Sequence, residues 1–385
     1  MDPLKIFISA GDPSGERHAA RLIRALRKIS GEPVVTGIGG EAMQKEGAQL
    51  LCTQDRLAIM GLLEVVKHLP FFIGLLRRIR EHLTEHRPEL MVLIDFPDFN
   101  FRLAKIAKEL GIPVLYYISP QIWAWRTGRK RQLASLASHL AVVFPFEVEF
   151  YRDENIPVEF VGHPLVAELE GVTGRSAFRS THGLETDRPL VGLMPGSRVQ
   201  EIERHMELFL AAARRMRARH SELQFAVAML KHTAAALSPG HREMIEKLGV
   251  KTIEGDSLGL ISASDVLLTK SGTTTMEAAL LGTPMVISYR TSAMSYLIAS
   301  RLVKISHIGM PNLLDSSPSI PELIQHEVTP ERIAQFGLEL LEKDSPLRAR
   351  VLEQCQRVRQ VLTTDKPASV RVAEIALEMT GRRAD

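Results

Sequence analysis

Short apolar, strand-like runs alternate with longer helical patterns along the whole of this 385-residue chain. Such alternation predicts parallel sheets whose strands are joined by crossover helices. Two series of predicted strands are separated by a polar, turn-rich stretch at 170–188. The strands are predicted at 5–9, 34–38, 91–95, 114–118, 140–143 and 159–161, then at 190–194, 224–228, 250–253, 265–269 and 285–288, and the first helices at 16–28, 60–86, 101–110 and 128–138.

The two series predict two α/β domains, because the chain is too long for one ordinary hydrophobic core. We expect two doubly wound, Rossmann-like sheets, the first at 1–165 and the second at 166–345, with a linker near 163–188. The helical segment 346–385 is predicted to return to the first domain. Ligands of such sheets bind at the carboxyl ends of the strands, so we expect the site in a cleft where the two sheets face each other.

The composition favours a cytoplasmic protein without a nucleic-acid partner. The formal net charge of +3 is small and excludes neither nucleic acid nor membrane, but gives strong support to neither. Cys52 and Cys355 are far apart and show no metal-ligand spacing, as expected of a reduced intracellular protein. No apolar stretch approaches the ~20 residues that span a bilayer, and the N-terminus does not resemble a secretory signal.

The sequence KSGTTTMEAALLGTPMV at 270–286 carries the strongest functional pattern. An apolar run leads into Ser271, Gly272 and Thr273, and a helical pattern follows until glycine and proline end it. Free backbone N–H groups and the helix dipole at such a start bind anions, and Glu277 is placed to accept hydrogen bonds from ribose hydroxyls. We predict a nucleotide or nucleotide sugar here; the alternative is an ordinary connection whose Ser and Thr cap the helix.

A second candidate ligand loop, GDPSGE at 11–16, follows the first predicted strand. Gly11 and Gly15 let the backbone approach a ligand closely, and the loop opens the next helix in the manner of a phosphate loop. The loop lacks both GxGxxG and a Walker lysine, so the pattern gives little support for dinucleotide or ATP binding. The alternative is a tight turn in which Ser14 is the N-cap of the helix.

Asp95 is the candidate catalytic group. It ends a predicted buried strand in the sequence IDFPDFN at 94–100, at the functional edge of the sheet. A carboxylate there can act as a general base on an incoming hydroxyl. We predict that Asp98 and Asn100 cap the following helix. The alternative for Asp95 is a turn residue whose hydrogen bonds are satisfied.

An aromatic and basic loop, SPQIWAWR at 119–126, follows the fourth predicted strand and contains both tryptophans of the chain. Aromatic faces pack on sugar rings or apolar surface, and Arg126 is placed to meet a phosphate. Ser119 and Trp125 belong to the same candidate site. Core packing alone would also explain the tryptophans.

In the second domain, Arg198 ends the sequence PGSR after the first strand. Its permanent charge suits a diphosphate leaving group, and the glycine and serine before it offer backbone donors. We expect Glu201 and Glu203 to support the N-terminal end of the next helix and to pair with Arg198. Asn312, in PNLL, is a candidate nucleotide contact, although Pro-Asn is also a common turn.

No metal site is predicted. The 13 histidines are scattered and form no HxH, HExxH or paired Asp/His pattern. His163 lies at the domain junction and His307 precedes the PNLL sequence. Lone histidines of this kind are more often structural than catalytic.

The segment 60–83, MGLLEVVKHLPFFIGLLRRIREHL, is unusually apolar and basic. It has too many large apolar residues for one buried stripe, and Pro70 and Gly74 are predicted to break any single long helix. The interleaved basic residues fit an interfacial patch that meets anionic lipid or a lipid-tailed substrate. A buried hairpin or a dimer contact is the alternative, and 297–304 shows the same pattern more weakly.

In combination, these sequences resemble the lipid-A-disaccharide synthases, which are inverting glycosyltransferases of the GT-B architecture. The resemblance runs nearly the full length of the chain, and the order and spacing of the motifs make it specific. It rests on GDPSGE (11–16), MGLLEV (60–65), IDFPDFN (94–100), SPQIWAWR (119–126), FPFE (144–147), GHPL (162–165), PGSR (195–198), SGTTTMEAALLGTPMV (271–286) and MPNLL (310–314).

The resemblance implies a donor, UDP-2,3-diacylglucosamine, and an acceptor, 2,3-diacylglucosamine 1-phosphate (lipid X), joined by a β-1,6 link with release of UDP. It implies no metal or cofactor, and peripheral association with the inner leaflet of the cytoplasmic membrane through about 60–83. Asp95 matches the family's proposed catalytic aspartate. The substrate-binding residues it implies are Ser14, Gly15, Met60, Glu64, Ser119, Trp125, Arg126, Arg198, Ser271, Gly272, Thr273, Glu277 and Asn312.

Glu16 departs from the family pattern, in which this loop usually ends in Ser-Gly-Asp. The longer carboxylate still suits a helix N-terminus, so the departure bears on the geometry of the loop and not on the function. The helical tail is compatible with a homodimer.

The predicted mechanism assigns Asp95 as the base that takes the proton of the acceptor 6-hydroxyl as it attacks the anomeric carbon. Arg198 and the helix dipole then stabilise the departing UDP, as a metal does in other enzymes. Two alternatives share part of this pattern. A UDP-sugar epimerase of the same fold needs the donor loop but no acceptor, and a non-catalytic UDP-sugar-binding protein needs the donor loop but not Asp95.

Overall fold

The computed structural model describes residues 2–58, 69–125, 127–235, 237–302 and 306–382. The chain forms two compact units, one comprising Met1–Ala167 with Leu362–Asp385 and the other Glu168–Val361. The predicted positions Met60, Glu64 and Arg126 lie outside the described residues, as does the side chain of Trp125.

The strands all run parallel to their neighbours, as the alternating pattern predicts. Every predicted strand is present, displaced by no more than one residue at either end, and two further strands were not predicted. The strands are β1 (Lys5–Ala10), β2 (Val34–Gly39), β3 (Gln49–Thr53), β4 (Leu90–Ile94), β5 (Val114–Tyr117), β6 (His139–Val142), β7 (Val158–Phe160), β8 (Leu190–Met194), β9 (Gln224–Met229), β10 (Lys251–Glu254), β11 (Val266–Lys270), β12 (Met285–Tyr289) and β13 (Glu322–Ile324).

The helices lie between these strands and after the last one. They are α1 (Pro13–Ser30), α2 (Glu41–Lys45), α3 (Asp55–Ala58), α4 (Leu69–His86), α5 (Pro97–Glu109), α6 (Ile122–Trp125), α7 (Lys130–Leu136), α8 (Pro145–Phe150), α9 (Pro164–Glu168), α10 (Arg175–Thr181), α11 (Val199–Arg219), α12 (Lys231–Ala235), α13 (Pro239–Lys247), α14 (Ser257–Ala263), α15 (Thr273–Leu281), α16 (Ala293–Leu302), α17 (Met310–Leu313), α18 (Pro330–Leu341), α19 (Pro346–Leu362) and α20 (Ala368–Met379). Two 3-10 turns lie at Thr127–Arg129 and Gln325–Glu327.

The first unit is built on a sheet with the strand order β3-β2-β1-β4-β5-β6-β7. The order reverses between β1 and β4, and this switch point is where doubly wound sheets open towards a ligand. Every residue of β4 is buried, because helices cover both faces of the sheet. The register aligns Ile94 with Ala10 and with Tyr117, so the loops that follow β1, β4 and β5 leave the same edge.

The second unit repeats this plan with the order β10-β9-β8-β11-β12-β13. Here the switch point lies between β8 and β11, and every residue of β8 is buried. Thr269 pairs with Met194, which places the loop after β8 beside the end of β11. The α/β fold class with two Rossmann-like sheets is therefore confirmed.

Helix α4 corrects one prediction. Gly74 was expected, together with Pro70, to break a long helix, but α4 runs without interruption through Gly74; Pro70 lies in the first turn of α4, so a break at Pro70 is not contradicted. Proline is tolerated in the first turn of a helix, and a single interior glycine costs only about 1 kcal/mol relative to alanine. The rest of the apolar segment before residue 69 lies outside the described residues.

The last segment of the chain, Leu362–Asp385, belongs to the first unit, whereas 346–361, which was predicted to return with it, belongs to the second unit. Helix α20 packs against α1. Arg371, on α20, forms ion pairs with Glu159 at the sheet edge, at 2.5 Å, and with Glu374 and Glu378 on its own helix. The Arg382 guanidinium is 2.8 Å from Glu89, just before β4. These contacts make the last residues of the chain part of the first unit's framework.

Candidate functional site

The second unit has an open cavity of about 380 Å³ at the carboxyl edge of its sheet. Its wall brings together four residues predicted from separate motifs, Arg198, Gly272, Thr273 and Glu277. It also contains Lys270, which the sequence analysis did not select. A strand edge that carries two cations and a helix start can hold an anionic ligand.

Helix α15 supplies the positive helix end at this cavity. It begins at Thr273, directly after the extended Gly272, and ends at Gly282, whose φ of 72° is the left-handed conformation that glycine favours. Thr275 is tied to the start of the helix, because its Oγ1 donates to the Gly272 carbonyl at 2.8 Å. The predicted strand, turn and helix start are therefore confirmed, and Thr273 and Thr274 face the cavity.

Glu201 connects the two loops at the switch point. Its Oε2 accepts hydrogen bonds from the Ser197 N–H at 3.0 Å and the Arg198 N–H at 3.3 Å. Its Oε1 lies 2.9 Å from the Lys270 Nζ and 3.7 Å from the Arg198 guanidinium. The predicted support of the helix end by Glu201 is therefore present, whereas Glu203 is exposed.

The charge state of Glu201 follows from these contacts. Burial opposes its ionisation, but the hydrogen bond and positive charge of Lys270 and the N–H groups of Ser197 and Arg198 outweigh burial and lower the pKa of Glu201. The carboxylate is therefore ionised at neutral pH. Its neighbour His205 donates from Nδ1 to the Glu201 carbonyl and accepts at Nε2 from the Arg290 N–H, and burial lowers the pKa of that imidazole.

Ser271 and Asn312 are placed differently from the other predicted donor-site residues. The Ser271 Oγ donates to the Ile308 carbonyl at 2.9 Å. Asn312 is 2% exposed and donates to the Ile320 carbonyl and to Glu322. Its Oδ1 accepts from Gln354 Nε2 at 2.8 Å. Neither side chain lines the cavity, and both hold the segment behind it in place.

Asp95 lies at the carboxyl edge of the first sheet, directly after β4. Its φ is 42° and that of Phe96 is 47°, a left-handed conformation that is uncommon for residues other than glycine. The Asp95 carbonyl accepts from Asn100 Nδ2 at 2.7 Å and from the Tyr116 hydroxyl at 2.8 Å, while the Asp95 N–H donates to the Tyr117 carbonyl. Such conformations persist only where surrounding contacts enforce them, and they cluster at functional sites.

Burial and, to a smaller extent, the negative charge of Asp12 raise the pKa of Asp95 to about 6, although a hydrogen bond from the Phe96 N–H acts in the opposite direction. At neutral pH the carboxyl group is therefore mostly ionised, yet it is more basic than an exposed aspartate. This is the state that a general base requires, because its efficiency is greatest when its pKa lies near the working pH.

The predicted helix caps after Asp95 are wrong. The residue before α5 is Phe96, and its side chain makes no capping hydrogen bond. Asp98 is exposed within the first turn and pairs with Arg129 at 2.9 Å. Asn100 is fully buried, and its amide binds the Ile94 and Asp95 carbonyls because the left-handed turn points them inward.

The loop after β1 is closed by Asp12 and not by Ser14. The Asp12 Oδ1 accepts from the Ser14 N–H at 2.8 Å and the Gly15 N–H at 2.9 Å, so Asp12 is the N-cap of α1. The two backbone donors are therefore already bonded. The close approach occurs at Gly11, where a Cβ would overlap the Phe96 ring.

Glu16, the residue that departs from the family pattern, has a structural role. It is 7% exposed, and its carboxylate accepts from the Ala42 N–H at 2.6 Å and from the Gln54 side chain. A Cβ on Gly40 would overlap this carboxylate. The longer side chain thus joins α1 to the start of α2.

In the aromatic loop, Ser119, Ile122 and Ala124 are buried, Trp123 is half-buried and Gln121 is exposed. Ser119 is 4% exposed, and its Oγ is 2.6 Å from the Tyr151 hydroxyl. The Trp123 ring meets Phe146 edge-on at 4.9 Å between ring centroids. Glu147 is fully buried, and burial raises its pKa to about 8. For Trp123, packing against other aromatic rings is therefore what the structure shows.

His163 accepts from the Leu165 N–H at 3.2 Å, at the start of α9. His307 lies 3.7 Å from Glu322. Within the ranges that the structure describes, no three His, Cys, Asp or Glu side chains form a group that could hold a metal ion. None of the helices described there is both long enough and apolar enough to cross a membrane.

Comparison with known proteins identifies a family to which the sequence is similar over nearly its whole length. A family model described as lipid-A-disaccharide synthetase matches residues 6–377. The lipid-A-disaccharide synthase of Nitrosococcus oceani is 38% identical over 378 residues, which are 97% of this chain and 96% of that protein.

Solved structures show the same fold at lower identity. A UDP-N-acetylglucosamine 2-epimerase superposes with a TM-score of 0.65 at 15% identity, covering 99% of this chain and 97% of that one. The glycotransferase of kitacinnamycin gives a TM-score of 0.64 at 16% identity, covering 99% and 100%. At such identities these likenesses concern the fold, and it is the GT-B fold predicted from the sequence.

Proposed function

Because this chain belongs to the lipid-A-disaccharide synthase family, we propose that it joins UDP-2,3-diacylglucosamine to 2,3-diacylglucosamine 1-phosphate through a β-1,6 link and releases UDP. As a member of that family it is a glycosyltransferase with a sugar-nucleotide donor and a lipid acceptor. The observation that carries the finer proposal is the cavity of the second unit, where Arg198, Lys270 and the start of α15 surround a space open to solvent.

We assign the donor to this cavity. The diphosphate lies against the first turn of α15 at Gly272 and Thr273, where unpaired backbone N–H groups and the helix dipole favour negative charge. Arg198, with a side chain 83% exposed, is free to follow the leaving group. Glu277 faces the ribose. Ser271 and Asn312 support the cavity wall from behind.

We assign Asp95 as the general base. It accepts the proton of the acceptor 6-hydroxyl as the new C–O bond forms at the anomeric carbon and the bond to UDP breaks. The attack on the face opposite UDP inverts the anomeric centre. The raised pKa of the carboxyl group and its fixed backbone support this role. Ser14, Gly15 and Ser119, on neighbouring loops of the same sheet edge, are assigned to the acceptor side with Met60, Glu64, Trp125 and Arg126.

The first unit is proposed as the acceptor and membrane-facing part. On α4, Ile73 is 60% exposed, and Arg77, Arg78 and Arg80 are exposed beside it. An exposed apolar residue among cations suits the surface of an anionic bilayer. We therefore propose peripheral association with the cytoplasmic face of the inner membrane through 60–83. A homodimer stays a prediction, to be measured by analytical ultracentrifugation.

Only the similarity of fold supports the epimerase alternative. The epimerase structure shares 15% of its residues with this chain, whereas the synthase of Nitrosococcus oceani shares 38%. The 38% relationship covers nearly the whole of both proteins and includes the Asp95 loop as well as the donor cavity.

The test is a product-mass assay with donor alone and then with donor and acceptor. We expect UDP and a disaccharide 1-phosphate only when both substrates are present. An epimerised UDP-sugar from donor alone would overturn the proposal in favour of the epimerase. Binding of UDP without any product would favour the non-catalytic alternative.

A further inference from the structure

Lys270 lines the donor cavity, but the proposed mechanism gives it no role of its own. It is the last residue of β11 and lines the cavity of the second unit. Its side chain is 19% exposed, and its Nζ lies 2.9 Å from Glu201 Oε1. A Cβ built on Gly272 would be 3.6 Å from the same Nζ, so the ammonium group lies beside the start of α15.

At this end of the cavity two cations share one carboxylate, and Glu277 is a second carboxylate of the lining. Glu201 is the carboxylate between two cations, at 2.9 Å from Lys270 and 3.7 Å from Arg198. The other oxygen of Glu201 is occupied by the Ser197 and Arg198 N–H groups. An ammonium group has three donors, and the contact with Glu201 uses one of them. Lys270 therefore keeps donors for an anion in the cavity.

We propose that Lys270 is a further diphosphate-binding residue and that Glu201 is its positioning residue. This inference rests on the proposed donor site in the second unit. Glu201 holds the ammonium group beside the N-terminus of α15. The Lys270 side chain therefore loses little further conformational freedom when the diphosphate binds. Lys270 and Arg198 then approach the diphosphate from the ends of two neighbouring strands, and the helix N-terminus completes the site.

If Lys270 were purely structural, its ion pair with Glu201 would only connect the end of β11 to the loop after β8. The two roles differ in their dependence on the ligand. A phosphate contact must weaken as phosphates are removed from the ligand, whereas loss of a structural tie disturbs the whole cavity and weakens every ligand. The series UDP, UMP and uridine therefore separates them.

The experiment titrates each of these three ligands by calorimetry into the full chain and into Lys270→Gln. Glutamine keeps a donor for Glu201 but removes the charge. We expect UDP affinity to fall about 10-fold or more, UMP affinity to fall less, and uridine affinity to stay within about twofold. Lys247→Gln is the matched control, because Lys247 is exposed on α13 and pairs there with Glu243.

Unchanged UDP affinity in Lys270→Gln, or an equal loss for UDP and uridine, overturns the inference while the donor site stands. Failure of the unaltered chain to bind UDP overturns the donor site itself, and the inference with it. Lys270→Arg retains the charge and should keep UDP affinity within about threefold. A loss in Lys270→Arg as large as in Lys270→Gln would also contradict a phosphate contact.

Discussion

At the scale of single residues, Asp95 is unusual in both its backbone and its carboxyl group. The backbone is held at a φ of 42° by Asn100 and Tyr116. The carboxyl group has a pKa raised to about 6, first by burial and then by Asp12. Both departures cost stability, and a residue that carries both at the edge of a sheet is a functional candidate on physical grounds.

The raised pKa predicts the acid limb of the pH profile. A base must be deprotonated to act, so kcat/KM should fall as the pH drops through about 6. Asp12→Asn removes a negative charge that raises the pKa of Asp95, and asparagine still caps α1, so the limb should move to lower pH. Rates from pH 5 to 9 for both proteins test this. Asp98→Asn is the control, and an identical shift there would contradict the assignment.

Asp95→Asn should lose turnover by ~10²–10⁴-fold while UDP binding is retained. Near-normal turnover in this variant would remove Asp95 from the mechanism. The free energy of unfolding of this variant is a second measurement. Asparagine tolerates the left-handed conformation, so the main effect of the change on stability is the removal of a buried charge.

The sign of that stability effect follows from linkage. The pKa of Asp95 is raised from 3.8 to about 6, so the native state binds more protons than the unfolded state between these values, and stability falls as the pH rises through them. Asp95→Asn should therefore be more stable than the unaltered protein at pH 8, by at most about 3 kcal/mol, and the difference should vanish near pH 4. Denaturant unfolding at both pH values measures it.

At the scale of the element, the packing of α4 decides which of its residues can be substituted to test membrane association. Charged substitutions at Phe71 and Phe72 suggest themselves from the sequence, but both rings pack against the core of the first unit. A charge there would weaken the fold as well as any membrane contact. Ile73 is the residue whose change isolates the surface.

Ile73→Asp should weaken association with anionic liposomes by about threefold or more and leave the melting temperature nearly unchanged, because this side chain is 60% exposed. Val361→Asp, which changes an exposed valine in the second unit, is the control. Sedimentation with vesicles measures the association. Equal binding by all three proteins would count against α4 as the membrane contact.

The elements show how far the sequence alone could lead. Central strands such as β4 and β8 are buried on both faces and appear as continuous apolar runs, so their positions follow from the pattern. β3 (Gln49–Thr53) and β13 (Glu322–Ile324) are partly exposed edge strands, and neither contains a long continuous apolar run.

For the site, local motifs predicted Arg198, Gly272, Thr273 and Glu277. The contact between Lys270 and Glu201 depends on β8 and β11 being neighbours in the sheet, which is a property of strand order that no local motif contains. The bond between Asn312 and Gln354 likewise joins helices that are distant in sequence.

At the scale of the whole molecule, the two units differ in continuity. The second unit is one unbroken stretch, Glu168–Val361, whereas the first is completed by Leu362–Asp385. The returning segment buries Val372, Ile375 and Leu377 and makes ion pairs through Arg371 and Arg382. The two units should therefore behave differently as fragments.

We expect residues 168–361 to fold alone and to bind UDP, because their sheet and the donor cavity are both contained within them. Residues 1–167 alone should remain poorly structured, since α1 would expose the face that α20 covers. Co-expression with 362–385 should restore the first unit. Circular dichroism and proteolysis of the fragments measure these outcomes, and a stable 1–167 fragment would contradict them.

The return of the chain to its first unit has a consequence for the order of synthesis on the ribosome. When residue 167 emerges, the helix that completes its unit is still roughly 200 residues away, which is about 10–40 s of translation at ordinary rates of synthesis. During that interval the nascent first unit presents an uncovered apolar face, and the second unit is completed at the end of the interval, before the first. Folding of the first unit therefore waits for residues 362–385, and a chain released before they are made has an unfinished first unit.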